Sequence, residues 1–523
     1  MRMSVSMTAG WRSFRRYRAS QWLAAARLMV AKRIVQAGWY KRRDVSTTRR
    51  PGRLFTFRLQ QSEYFDGQRF RIDSHDIPFS HGMDWQQSRR EALVGIRLRG
   101  WSWLRTEGLK EEHALGALLD FIATENGFTY RAEPYELSLR IQHACWWLGY
   151  HDRADVIVMQ YIADAAARLR WLTEEHLSNN HLLENGFALC WAGLILDNAS
   201  YRSRGLDILR TAWQSQVLPS GSHSEQSPMY QHILLARCIE TIALMRNCSK
   251  ETEAGFLVPV VASLAGWLSY LQWRNGAFPV INDSVERPLP EFSELSAALS
   301  ALGIDQQQPV VAGPQVRLTN DSFECCFDVS GMEPAHCPGH AHSDTLQLLL
   351  NVHGESLLVD PGTSTYAAGE QRSRERSVYF HNTVHQRGDD PAELLGAFRL
   401  GRSPGVKLMN VSVNEVLAEL TSTYRHQRQV QLNSHELKVV DEISSEEPAF
   451  ACWLVDKKTG PVLKNGMLTT KFVTIQFHGV VGIELSEFHY AVDFGLFKEA
   501  VAVKVEFRRR LETRFILREA SMS

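Results

Sequence analysis

From about Trp85 to Leu302, apolar residues recur at spacings of three and four, the period of helices that bury one stripe. The periodicity predicts helices over 111–125, 135–148, 153–172, 181–196, 202–216, 228–246 and 252–271, with short turns marked by Gly, Pro or Asn. A succession of similar antiparallel helices predicts an (α/α) toroid or solenoid, on element count alone, since no repeat shows in the letters. After Gln306-Gln-Gln-Pro309 the pattern turns to alternation and β-branched runs. Strands are predicted over 323–329, 345–352, 356–359, 406–413, 415–422, 429–432, 436–443, 469–477 and 501–507, with His353-Gly354 turning one hairpin. Many antiparallel strands with short turns predict a β-sandwich. The chain therefore reads as a multidomain α + β protein. A basic helical segment spans 1–53 and a toroid 54–305, opening on irregular or short-strand material over 54–84. An antiparallel sandwich follows over 306–523.

Composition adds little until charge is mapped. A chain of 523 residues, 44% hydrophobic, is too long for one core and ordinary for folded protein. The formal net charge of zero argues against bulk nucleic-acid binding. Residues 1–53, however, carry fourteen Lys or Arg against one acid, Asp44. Such a head can touch an anionic membrane or polymer, and the plainer reading is a pair of surface helices facing water. The apolar stretch Gln21–Ala31 is interrupted by Arg27 and is far short of a membrane span. It lacks a clear cleavage pattern, so an amphipathic helix is expected rather than a secretory signal. No transmembrane segment is expected. Eight cysteines without a CxxC pair demand no disulfide framework, and cytoplasm and periplasm both stay open.

Three constellations could carry chemistry. In Asn179-Asn-His-Leu-Leu-Glu184, residues Asn180, His181, Glu184 and Ala188 share one helical face, which suggests a cleft; a capped helix start with a core histidine is the plainer account. In Gly221-Ser-His-Ser-Glu225-Gln-Ser-Pro-Met-Tyr230, Ser227 and Pro228 start a helix and put Tyr230 in its first turn. There the dipole is expected to favour a tyrosinate and to help hold a carboxylate. The third is Gly339-His-Ala-His-Ser-Asp344, followed by Asp360 and by Phe380-His-Asn-Thr383. On a strand His340 and His342 would share a face, and three histidines with an aspartate are ligands a metal such as zinc prefers.

Taken together with Glu133-Pro-Tyr-Glu-Leu-Ser-Leu-Arg-Ile141 and Phe278-Pro-Val-Ile-Asn-Asp-Ser284, these segments resemble the heparinase II/III family of polysaccharide lyases, which includes related alginate lyases. The resemblance covers 54–510 and implies a toroid packed on an antiparallel sandwich with a cleft between. It implies β-elimination of a uronic-acid glycan, leaving 4,5-unsaturated uronic acid ends. Asn180 with His181 would bind the uronate carboxylate, His340 or His181 would be the base, and Tyr230 the acid. Arg140, Glu184, His223 and Glu225 would be further substrate contacts. His342, Asp360 and His381 would hold one structural Zn2+. The basic head departs from the family's secreted members and looks more like members encoded beside capsule or exopolysaccharide genes. Glycoside hydrolysis needs two flanking carboxylic acids, which the His-, Tyr- and Asn-rich motifs do not offer. A non-catalytic glycan-binding or assembly protein on this fold is the remaining alternative.

Overall fold

Helices begin where the sequence supplies a capping side chain. The computed structural model describes residues 12–13, 15–40, 45, 51–86, 92–125 and 133–518. Asp155 accepts from the Ile157 and Val158 N–H groups at 3.0 Å and opens the helix Val156–Leu169. Asn179 opens Asn180–Ile195, Asn198 opens Ala199–Gln216, and Ser227 opens Pro228–Asn247. Each cap satisfies N–H groups that a helix start leaves orphaned. With Glu111–Glu125, Pro134–Tyr150 and Leu257–Leu271 they build the (α/α) toroid, close to the predicted windows. The stretch before it forms a small antiparallel sheet of Tyr64–Phe65, Arg69–Ile72 and His75–Pro78.

The helix Pro228–Asn247 is buried on every side, sparing only Ile233, Arg246 and Asn247. A helix enclosed this way must pair its charges inside. Glu240 bonds Arg105, and Arg237 lies 3.5 Å from both Glu184 and Glu240. At 19–36 the N-terminal helix lies on the toroid through Leu28 and Ala31, packed with Leu172.

Among the described residues, the C-terminal half is built on one fourteen-stranded antiparallel sheet, with a separate two-stranded pair, Leu394–Leu395 and Arg399–Leu400. Its main path runs from Gly405–Val411 through Glu415–Thr421, Arg425–Leu432, Glu436–Ile443, Leu496–Leu517 and Ala449–Asp456, then to Glu355–Leu358, Leu348–Val352, Phe323–Asp328 and Gln315–Thr319. Phe323, Leu350, Trp453, Val505 and Phe515 lie in its core. Val352 pairs with Glu355 across His353-Gly354, both at positive φ, so the expected hairpin is present. The strand Ala449–Asp456 was not expected. All eight of its residues are buried, so its letters do not alternate. Strands expected over 469–477 and 501–507 belong to two long partners, Val473–Asp493 and Leu496–Leu517.

The two halves are stitched by backbone. Asp283 N–H donates to His340 O at 3.1 Å, and Glu286 N–H donates to Val492 O at 3.1 Å. The loop carrying Asp283 therefore ties the toroid to the sheet domain.

Candidate active site

At the start of its helix, Tyr230 is fixed by the Ser227 cap, whose hydroxyl accepts the Tyr230 N–H at 3.3 Å and donates to Asp283 O at 2.6 Å. The phenol lies 2.8 Å from the Tyr366 hydroxyl, contributed by the sheet domain. Its ring is 4.2 Å from that of His340. Burial, then Tyr366 and Asp283, push the Tyr230 phenol well above its ordinary pKa. The expected help from the helix start toward a tyrosinate is outweighed. This is a phenol that keeps its proton, suited to act as an acid.

The residue that organises the site is Asp283, buried and placed between the halves. One oxygen meets His340 Nδ1 at 2.8 Å, and the other meets His342 Nε2 at 2.9 Å and the Thr363 hydroxyl at 3.2 Å. Arg372 grips both oxygens. Burial alone would raise this carboxyl, but Arg372 and the two histidines hold it well below the usual range. An ionised carboxylate only accepts, so His340 carries its proton on Nδ1 and His342 on Nε2. In the neutral ring, Nε2 of His340 is thereby the acceptor nitrogen. His342 keeps a buried Nδ1 lone pair without a partner among the described residues.

Those two histidines do not lie on a strand, contrary to expectation; residues 339–344 form a loop. They converge because one carboxylate binds both. Backbone geometry is tight around the site: Ser178, Gln226 and Asn282, each adjoining a site segment, sit at φ +52°, +54° and +57°. Non-glycine residues in that region cost energy that the surrounding structure must offset.

Across the cleft, His181 stacks on Tyr135 with centroids 4.3 Å apart and bonds Glu174 at 3.2 Å. Burial would lower its pKa, but Glu174, with Glu225 and Glu184, raises it overall. The raised pKa favours the cationic, donating form of His181 over the base. Asn180 has its Oδ1 buried without a partner among the described residues, and its backbone N–H donates to Glu225 Oε1 at 3.3 Å. A cavity of about 160 Å³ is walled by Tyr135, Tyr230, Arg237 and Arg287 from the helical half and by Tyr366 and Phe494 from the sheet half; Asn180, His181 and His340 are not on its lining, and His181 adjoins it through the stacked Tyr135.

Four of the expected substrate contacts are buried and paired within the protein. Arg140 is fully enclosed, bonded to Glu136 and Glu125 with its guanidinium over Phe121. Glu184 is enclosed by Arg237 and by Gln142, whose amide donates at 2.6 Å. His223 is fully buried between Gln216 and Gln231, and burial lowers its pKa. Glu225 is 1% exposed and serves Asn180 from below. These side chains support the cleft wall and present no surface to a glycan. The sequence reading missed Asp283, Arg372, Tyr366 and Tyr135. Asp283 and Tyr135 stood inside segments already singled out, whereas Tyr366 and Arg372 lie in a polar stretch with no periodic signal.

His342, Asp360 and His381 come near one another without closing into a metal cage. Among the described residues, no group of three or more His, Cys, Asp or Glu is placed to hold an ion. His381 Nδ1 is 3.0 Å from Asp360 Oδ2, and the His342 and His381 rings are 5.5 Å apart. His342 Nδ1 and His381 Nε2 are both buried and unpartnered among the described residues. The donor types fit zinc: two imidazole nitrogens, each ring oriented by a carboxylate on its other nitrogen.

Two family models match the chain, heparinase II/III N-terminus over residues 122–294 and heparinase II/III-like, C-terminal, over residues 309–492. No curated protein matches by sequence. Among solved structures, a heparinase III gene product is 16% identical, covering 85% of this chain and 82% of its own, at a TM-score of 0.63. Another heparinase III is 14% identical, covering 86% and 80%, also at 0.63. Heparan sulfate lyase HepC from Pedobacter heparinus is 15% identical, covering 87% and 82%, at 0.56. At these identities the likeness is one of fold.

Proposed function

The chain belongs to the heparinase II/III family of polysaccharide lyases, and from this premise we propose that it cleaves a uronic-acid-containing acidic polysaccharide by β-elimination, leaving 4,5-unsaturated uronic acid ends. The observation that carries the reading is the meeting of a proton-holding phenol, Tyr230, with a carboxylate-oriented imidazole, His340, 4.2 Å apart across the two halves. Asn180 and the cationic His181 neutralise the uronate carboxylate, which makes the C5 proton acidic. His340 Nε2 takes that proton, the C4–O bond breaks as the C4–C5 double bond forms, and Tyr230 gives its proton to the departing glycosidic oxygen. Tyr366, 2.8 Å from Tyr230, holds the phenol by a hydrogen bond, and the cycle closes when the proton gained by His340 is lost to solvent and Tyr230 takes one up. We place the substrate in exopolysaccharide or capsule metabolism because of the basic head at 1–53.

One zinc ion is part of this reading, held by His342, Asp360 and His381, where it would brace the sheet-side wall of the cleft. The proton transfers are assigned to this chain's own side chains.

The test is ultraviolet absorbance of the unsaturated uronate over a panel of heparan sulfate, alginate, hyaluronan and glucuronan. On a glycan so found, Tyr230→Phe should lower kcat by roughly 10²–10⁴; full activity in that variant would sink the mechanism. Glycan binding without turnover across the panel would favour the non-catalytic alternative. Metal analysis of His342→Ala tests the ion separately, and zinc content equal to the parent's would remove that assignment.

A further inference from the structure

The helix at 19–36 has two unlike faces. Gln21, Leu28 and Ala31 seat it on the toroid, where Gln21 Nε2 donates to His176 O at 2.8 Å. The opposite face is apolar and turned outward. Trp22, Leu23, Met29 and Val30 are 45–73% exposed, and Trp39 just beyond the helix is 78% exposed. Residues 22, 23, 26, 29, 30 and 33 fall within one stripe of the wheel, and Arg33 is its one charge.

Beside this stripe lies a cationic hollow. Arg27 from the flank of the same helix, Arg170 and Trp171 after the helix Val156–Leu169, and Tyr201 and Arg204 from Ala199–Gln216 line a surface pocket of about 420 Å³. Glu175 bonds both Arg27 and Arg204 and holds their guanidinium groups at the rim. Two of these arginines share one carboxylate and Arg170 adds a third cation to the lining, in a molecule whose first 53 residues already carry fourteen cations against one acid. Trp171 is itself 43% exposed.

We propose that this surface docks the protein on an anionic phospholipid bilayer, with the outer face of the helix sunk into the interface and the arginine pocket taking a lipid phosphate. The chemistry selects this occupant. A glycan has no use for Leu23, Met29 and Val30, and a cation-rich flank beside an apolar face with tryptophan near each end is how a helix lies in a headgroup layer. No helix among the described residues is long and apolar enough to cross a membrane, so the contact is peripheral. Arginine forks match phosphate oxygens in pairs.

The full chain should float with phosphatidylcholine–phosphatidylglycerol vesicles, much less with phosphatidylcholine alone, and detach partly at high salt. The double variant Leu23→Glu/Val30→Glu changes only exposed positions and should weaken flotation at least about tenfold with an unchanged Tm, because burying two aliphatic chains is exchanged for burying two charges. Arg170→Glu should weaken it on anionic vesicles alone. Absence of flotation on anionic vesicles would overturn the proposal. So would double-variant binding equal to the parent's, which would reduce the effect to adsorption of the basic head. Concentration-dependent self-association abolished by Leu23→Glu would assign the face to a second copy instead.

Discussion

One carboxylate settles which nitrogen of each central histidine is free. Asp283 accepts from His340 Nδ1 and from His342 Nε2, which leaves Nε2 of one imidazole and the buried Nδ1 of the other as acceptors. An amide in that position must donate through one atom, so one of the two histidines loses its tautomer. Asp283→Asn is expected to lower kcat by on the order of 10²–10³. It also leaves the enclosed Arg372 without its counter-charge, at a cost of about 3–5 kcal/mol, read as a fall in Tm. Turnover within twofold of the parent in the folded variant would show that His340 does not depend on this carboxylate. Asp283 could be seen in the sequence only as one letter of Asn282-Asp-Ser284, a run that reads as a turn. Its role comes from residues 57 to 89 positions away.

Asn180 and His181 are delivered by the start of a helix whose place is set by its neighbour. The helices Asn180–Ile195 and Ala199–Gln216 approach through glycines, and a Cβ on Gly205 would lie 2.4 Å from Cys190 N and 2.5 Å from Gly186 O. Backbone atoms of a packed pair cannot give way locally, so the helices must separate. Gly205→Ala is expected to destabilise by about 1–3 kcal/mol despite the better helix propensity of alanine, and to raise KM by displacing the carboxylate-binding pair. An unchanged thermal midpoint would show that the hairpin has slack. Most helices were legible because a 3.6-residue period and Asn, Asp or Ser caps agree. The strand Ala449–Asp456 was not, because burial on both faces erases alternation.

At the scale of the whole molecule, buried neutral histidines contribute to acid sensitivity. Burial pushes His232 and His385 down to about 4. Their unfolded forms take protons near pH 6.5, so between about 6.5 and 4 the unfolded chain binds more protons than the native one. Stability is therefore present above that window and lost as pH falls through it, by on the order of 3 kcal/mol per histidine at full development. Thermal melts should show a Tm that drops steadily between about pH 6.5 and 4; a flat profile would contradict this. His181 moves the other way: its raised pKa keeps the cation below that value, so kcat/KM should fall as pH rises through it.

Read alone, the sequence determined the order of a helical and a sheet half, the cap and first turn that carry Tyr230, and the His-Ala-His segment. Those features are local, since periodicity, capping and short turns act within a few residues. Only the tertiary structure decided which polar residues face the cleft. Arg140, Glu184, His223 and Glu225 share motifs with the site but are enclosed by partners, whereas Tyr366 meets Tyr230 and the enclosed Arg372 grips Asp283 from a stretch without pattern. Burial and pairing between distant segments set those roles, and a helical or strand period carries no record of them.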